Sequence, residues 1–425
     1  MAFEPWEHSD RKAYGANSVD PSELRHHLRR GLAAPRALWP LRKVFFLSDL
    51  HADHQAFLQS LESAGAIRRK GDGPQAFTLT SEGRAGLTII GGDCLDKGPS
   101  NLDLLAAIHH FMALGGTLTI LAGNHDLRLL LGLRAFANPN DIRSRHFFLR
   151  MGAKVVPLLA EVHARFAKEP GYHDAVPGAA ECRRALFPTA DWFEAFPRWA
   201  GAVMSADNLA RERARLGEKQ GEFEAAAVNA GMDIRALWAA TRRCHRLFVP
   251  EDAPLRWFFD CMELSHQEGS FLFVHAGVDD QVARLIEEQG ITGLNTRFWN
   301  ELGQDPIAVY FGPLANVLRT KYRDTDHPLT AKGVDALHRA GIHAVVHGHQ
   351  SRVAGQRMAL REGLLHVECD ITLNCHSRAR KGMVGQGAGA TIICPERQII
   401  GISTDYPRAK VFDPLALLDA PALPC

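Results

Sequence analysis

Residues 87–99 read LTIIGGDCLDKGP, and this stretch decides the fold. Leu87, Ile89 and Ile90, with only Thr88 among them and no helical spacing, form a strand too short and too oily to be anything but buried on both faces. Two glycines follow, then Asp93, Asp96 and Lys97 in a tight turn. A buried strand that ends in glycines and then in carboxylates delivers them to one edge of a sheet, where layered α/β folds bind their ligands.

The pattern repeats on either side. KVFFLS (43–48) runs into Asp49 and His51, and LTILAG (118–123) into Asn124 and His125. SFLFV (270–274) runs into His275, and HAVVHG (343–348) into His349. Each short motif arises often by chance, but five in order, each closing an apolar strand, do not suit helix caps or turns, which need no histidines. Between the strands lie HQAFLQSLESAGAI (54–67) and SNLDLLAAIHHFMALGG (100–116), both with apolar residues at helical spacing. Ser100 or Asn101 can cap the second and the glycine pair ends it. Strand–helix–strand alternation predicts a sheet with helices packed on it. TIICPERQIIGIST (391–404) predicts two strands around a turn.

Outside these runs the character changes. Residues 1–40 are polar and basic and read as an N-terminal extension, residues 41–405 as the main domain, and 406–425 as an extended tail. Within the domain, 136–268 is rich in Ala, Arg and Glu and reads as a helical insertion. Its ends flank Asn124 and His275, so it must emerge at the ligand-bearing rim and wall or lid one side of it.

Composition excludes several classes. Of 425 residues, 46% are hydrophobic and 23% charged, an ordinary globular mix. The formal net charge of +1 writes no general attraction to nucleic acid or acidic membranes, and no basic stripe with interleaved aromatics suggests a nuclease. The 21 histidines fit metal ligation or proton transfer. Eight cysteines without a C-x-x-C pair fit a reducing cytosol better than a thiolate zinc site. The one uncharged stretch long enough to span a bilayer, Leu104 to His125, reads as helix, Gly-Gly turn and strand. A cytoplasmic protein with no membrane partner is expected, and its N-terminus carries no apolar signal region.

Mixed Asp, Asn and His ligands suit first-row transition metals. One cation can take Asp49, His51 and Asp93, and a second Asp93, Asn124, His275 and His349. A bridging Asp93 would set them about 3.5–4 Å apart, as in two-metal hydrolases that attack phosphorus with a metal-bridging hydroxide. His125 can then protonate the leaving oxygen, with Asp96 orienting its ring. Lys97, Asn124 and Arg319 are candidates for substrate phosphate, with Lys321 and Arg128 close in sequence to the same elements. His347 and Asp370 are read as structural, a buried neighbour and a strand-end turn.

These five motifs in order resemble the calcineurin-like metallophosphoesterases, over roughly residues 43–135 and 270–405. GDCLDKGPSNLD and GNHDLRLLLG are most similar to the diadenosine-tetraphosphatase branch, while phosphoprotein phosphatases usually carry Arg at position 97 and Glu at 126. Ser351 stands where many members of the superfamily place a last His, as in the two branches named. The resemblance implies two facing mixed β-sheets flanked by helices, a four-layer sandwich. It implies two divalent metals, manganese foremost with iron or zinc as alternatives, and the same ligand and acid positions. A small phosphorylated substrate is expected, a nucleoside polyphosphate or a phosphopeptide. The competing readings are a serine/threonine protein phosphatase and a non-catalytic phosphate-binding scaffold. The run Asp49 to His54 differs by one residue from a metallo-β-lactamase motif, but that fold has no place for the G-D-x-x-D and G-N-H-D motifs.

Overall fold

The computed structural model describes residues 2–6, 21–138, 140–201 and 206–419. Its strands, in chain order, are β1 (Phe3–Pro5), β2 (Val44–Leu47), β3 (Ile67–Arg69), β4 (Phe77–Leu79), β5 (Leu87–Ile90), β6 (Thr117–Leu121), β7 (Met262–Glu263), β8 (Ser265–Glu268), β9 (Phe271–Val274), β10 (Ala344–His347), β11 (Arg357–Arg361), β12 (Leu364–Glu368), β13 (Gly389–Cys394), β14 (Gln398–Ser403) and β15 (Ala409–Phe412). One eight-stranded sheet has the order β1-β15-β14-β13-β2-β5-β6-β7, and a five-stranded sheet the order β11-β12-β10-β9-β8. Both are mixed: the five-stranded sheet has a parallel centre and antiparallel edges, and the large sheet joins the parallel run β2-β5-β6-β7 to the antiparallel run β15-β14-β13-β2.

The period of two along each strand builds the layers. Val44 and Phe46 of β2, Leu87 and Ile89 of β5, Phe271 and Phe273 of β9, and Ala344 and Val346 of β10 share one core cluster between the sheets. Phe46 and Phe273 meet across it with ring centroids 5.8 Å apart. Phe45, Leu47, Ile90, Leu272, Val274 and Val345 point the other way, into a second core under the helices. The result is two facing sheets with helices outside, the expected four-layer sandwich.

Register then sets the rim. Leu47 pairs with Ile90 and Ile90 with Ile120, so β2, β5 and β6 end level. In the other sheet Val274 pairs with His347, so β9 and β10 end level too. All five ligand-bearing runs therefore leave their sheets at one edge.

Two boundaries differ from the sequence reading. β1 and β15 lie outside 41–405, yet they pair in parallel at the edge of the large sheet, and a helix, Pro414–Asp419, follows β15. Edge strands of three and four residues carry no periodic signal against which to read them. The stretch 136–268 is helical to Asp260, but its last residues form β7 and β8, one strand in each sheet. Their sequence, MELSHQE, is too polar to read as strand. Residues 7–20 and 420–425, parts of the expected extension and tail, lie outside the described residues. No helix among the described residues is long and apolar enough to cross a membrane.

Candidate metal centre

The loops after β2 and β5 continue the ladder beyond the strands. Asp49 N donates to Gly92 O (3.1 Å), and His51 N to Asp93 O (2.9 Å). This lays Asp49, His51 and Asp93 side by side. The loops cannot do so in ordinary conformations: Asp49, His51, Asp93, Asp96, Lys97 and His349 all sit in the left-handed region, with φ of 57°, 43°, 53°, 70°, 56° and 64°. Such strain in non-glycine residues persists where surrounding contacts hold it, and it collects at functional sites. Two glycines permit the loops to close on one another. A Cβ on Gly123 would lie 2.4 Å from Asp93 Oδ1, and one on Gly348 would lie 1.8 Å from Ser48 Oγ and 2.4 Å from Asp49 Oδ2.

Asp93 is the hub. Its Oδ1 lies 3.5 Å from His275 Nε2, and its Oδ2 lies 3.8 Å from both His51 Nε2 and His125 Nε2. Two groups of potential ligand atoms share it, one with His51 and His125, the other with His275 and His349, each group within 4.8 Å. These buried groups could hold metal. Asp49 Oδ1 approaches His51 Nε2 at 3.8 Å, while its Oδ2 accepts from Ser48 Oγ (2.6 Å) and His349 N (2.8 Å), tying the two sheets together. His275 Nδ1 donates to Gly91 O (2.7 Å), which fixes the tautomer and leaves Nε2 free to face the centre.

Asn124 gives the fit test for a cation. Its Oδ1 faces His275 Nε2 at 3.3 Å, and its amide nitrogen faces the Arg128 guanidinium. Acceptor against acceptor and donor against donor is reconciled by a cation between Oδ1 and the imidazoles. Without one, the amide turned over donates to His349 Nδ1 (3.1 Å) and accepts from Arg128 (3.2 Å). Electrostatics agree. Burial pushes Asp49 well above the carboxylate range, and Asp370 and Asp93 add to it. Against burial, His275, His51 and Lys97 hold Asp93 well below that range. Crowded carboxylates of this kind are what a bound cation relieves.

The other predicted residues fall around this hub. Asp96 Oδ2 contacts His125 Nδ1 closely, and its Oδ1 lies 3.3 Å from His51 Nδ1. Burial foremost, then Lys97 and Arg128, push His125 well below the ordinary histidine range. Lys97 lines the cavity at the level of the metal-binding loops. Its ammonium meets His51 Nε2, the nitrogen a cation would need. Arg319 sits farther along the wall, its guanidinium 4.8 Å from the Tyr310 ring centroid. Lys321 lines the same cavity. His347 is buried beside His366, with ring centroids 5.5 Å apart. Asp370 accepts from Ser351 Oγ (2.8 Å) and Thr372 N (3.0 Å) and also lines the cavity.

Sequence reasoning missed several parts. Asp126 is buried and accepts from Cys94 N (3.0 Å) and Leu95 N (3.0 Å), so it holds the turn that carries Asp93 and Asp96. Its place right after the G-N-H run was the available signal. Asn374 Nδ2 donates to His51 O (2.8 Å) from a loop with no motif. Glu161, in the helical stretch, accepts from Asn101 N (2.7 Å) and Leu102 N (3.0 Å) and so caps the helix Asn101–Ala113.

The centre opens into a cavity of about 910 Å³. Arg150, Lys154, Arg211, Glu212, Arg215 and Lys219 of the helical stretch line it, so that stretch walls one side. Twelve Lys and Arg but five Asp and Glu face the cavity, in a chain whose formal net charge is +1. The overall balance hides a strong local field.

No family model matches the chain, and no curated protein does. Solved structures similar to it include a cold-active protein tyrosine phosphatase, 14% identical over 94% of this chain and 85% of that one, with a TM-score of 0.47. The cold-active protein tyrosine phosphatase of a psychrophilic Shewanella is 13% identical over 93% and 86%, with a TM-score of 0.44. A protein serine/threonine phosphatase from Saccharomyces cerevisiae is 11% identical over 95% and 90%, with a TM-score of 0.39. Likenesses of this strength decide nothing about the chemistry of this chain.

Proposed function

We propose that this protein is a dimetal phosphoester hydrolase acting on small phosphorylated molecules. The observation that carries the reading is Asp93, one buried carboxylate shared by two groups of imidazoles, His51 with His125 and His275 with His349, in a cavity lined by cations. Asp49, His51 and Asp93 would hold one divalent ion, and Asp93, Asn124, His275 and His349 the other. Manganese is first choice, with iron or zinc as alternatives. Such a pair supplies Lewis acidity and lowers the pKa of water for attack at phosphorus.

The chain's own residues do the rest. Lys97, which lines the cavity beside His51, would neutralise phosphate oxygens. Arg128, beside Asn124, orients the same group. His125 would give a proton to the leaving oxygen from Nε2, with Asp96 at Nδ1 aiming the ring. On this reading the helical stretch is an insertion in the hydrolase domain. By walling the cavity it favours a nucleotide or short phosphopeptide over a phosphate on a folded protein. The seven described cysteines are unpaired, which supports a cytoplasmic setting.

Elemental analysis of the reconstituted protein, together with hydrolysis of p-nitrophenyl phosphate, tests the reading. Two equivalents of metal and turnover are expected. A chain that binds neither metal nor turns over is a scaffold. A second assay sets nucleoside polyphosphates against an intact phosphoprotein at one metal concentration. Faster release from the phosphoprotein would make this a protein phosphatase and leave the metal chemistry standing.

A further inference from the structure

Away from the metal ligands, five cations from five separate elements converge on the cavity. Arg128 comes from the helix Asn124–Ala137, Arg150 from His146–Met151 and Lys154 from the turn Gly152–Val155. Lys219 comes from Ala206–Asn229 and Arg319 from Ala315–Arg319. Among the described residues, Glu212 is the one carboxylate in ion-pair contact with any of them, 2.7 Å from Arg150. Lys219 Nζ donates to a carbonyl, Arg150 O, at 3.3 Å. Like charges gathered this closely repel, and folded proteins keep such groups where an anion completes them.

Tyr310 reports on that field. Its hydroxyl accepts from Arg128 Nε (2.8 Å) and Arg150 Nη1 (3.3 Å), and Arg150 and Arg319 lie over its ring at 4.7 and 4.8 Å. Burial pushes the phenol up, yet Arg128, Arg150 and Arg319 outweigh it and bring it down to about 7. Burial and Lys97 bring Lys154, enclosed by the walls though open to the cavity, down to about 8.

The cluster is also wired to the metal loops. Lys97 N donates to Lys154 O at 2.9 Å, so the helical wall docks on the turn that follows Asp96. Arg128 spans the gap, touching Asn124 on one side and Tyr310 on the other.

We infer that the cluster of Lys154, Lys219, Arg150 and Arg319 is a second anion subsite, which takes a phosphate of the substrate other than the one being hydrolysed. The substrate class is then small molecules with at least two phosphoryl groups, a linear polyphosphate chain being the simplest. This rests on the reading of the metal centre as a phosphoester hydrolase, but its test does not need turnover.

Calorimetry on the metal-loaded full chain compares tripolyphosphate with orthophosphate, for wild type and for Lys154→Met with Lys219→Met. Methionine keeps the aliphatic bulk, and neither side chain belongs to the buried core. Tripolyphosphate should bind wild type at least about a hundredfold tighter than orthophosphate. The double variant should lose at least about tenfold more affinity for tripolyphosphate than for orthophosphate, since each charge-assisted contact contributes roughly a factor of ten or more. Single Lys154→Met and Lys219→Met variants, each checked by thermal melting, keep the comparison if the double variant does not fold. Three results overturn the inference: equal affinity of wild type for the two anions, equal losses on both in the variants, or a second orthophosphate that does not compete with tripolyphosphate. The last would mark a separate site for free phosphate. A chain that binds tripolyphosphate as expected but hydrolyses nothing keeps the subsite and loses the hydrolase.

Discussion

The two walls of the cavity are built from different material. On the strand-end wall, Asp49, His51, Asp93, His275 and His349 stand on the loops after four strands, β2, β5, β9 and β10, in the left-handed region at four of those five positions. Backbone pairing between neighbouring loops and ties between the sheets hold them there. The helical wall carries Arg150, Lys154 and Lys219 on turns and helices with ordinary surface spacing, and no strand fixes them. The first wall is arranged to concentrate ligands on a point. The second concentrates positive charge over an area. The two walls meet at Lys97 and Lys154, where a backbone hydrogen bond joins them.

The comparison breaks most visibly at Asp93. Asp93→Asn should cost at least one metal per chain by elemental analysis and lower turnover by roughly 10³-fold or more, at least the scale of losing a principal electrostatic element. Retention of two tightly bound metals in the variant would remove Asp93 from the shared position.

His125 comes next. The geometry places its Nε2 as near to Asp93 Oδ2 as that of His51, so a ligand role competes with the acid role. His125→Ala should keep both metals and slow turnover by roughly 10²–10⁴-fold, less for good leaving groups. Loss of a metal, or an equal loss for p-nitrophenyl and alkyl phosphates, would make His125 a ligand and not the acid.

Glu161 tests how firmly the walls are joined. It caps the helix Asn101–Ala113 from the opposite wall, where Ser100 makes no side-chain cap bond of its own. Glu161→Ala should lower stability by about 1–2 kcal/mol in denaturant unfolding, the range for a lost cap. A change within experimental error would mean that water replaces the carboxylate at no cost.

The same contrast explains what could be read from the sequence. The first wall was legible because each ligand ends a buried apolar run, and a run such as LTIIGGD announces both the strand and what it carries. The expected ligands do gather on one rim, and the four-layer sandwich follows from the alternation along those runs. The second wall was not legible. Lys154 and Lys219 look like any solvated charges on a helical stretch, and only tertiary packing turns them toward the metal loops. Lys97 was read as a phosphate ligand from its motif; its ammonium lines the cavity and also meets His51 Nε2, a contact that no motif announces. Arg319 was read as a candidate for substrate phosphate; it lines the cavity with its guanidinium over Tyr310, a residue with no motif around it.

The smallest expected effect is also the most local. A tyrosine ordinarily titrates near 10, whereas Tyr310 should do so near 7. Burial pushes Tyr172 up to about 12 and raises Tyr322 as well, so phenolate absorbance appearing around pH 7 is assignable, and Tyr310→Phe should abolish it. The sign of the linked stability follows. A group whose pKa falls on folding adds stability that is fully present above its unfolded value, near 10, and gone once pH drops below its folded value, near 7. Wild type should therefore gain stability relative to Tyr310→Phe as pH rises from 7 to 10, not lose it. Saturating tripolyphosphate sharpens the comparison, because an anion on Arg150 and Arg319 competes with the phenolate for the same charge. The titration should then move up toward the ordinary value. A Tyr310 that titrates above about 9 without any anion would show that Glu212 and solvent already balance the helical wall, leaving the strand-end wall as the only charged feature of the cavity.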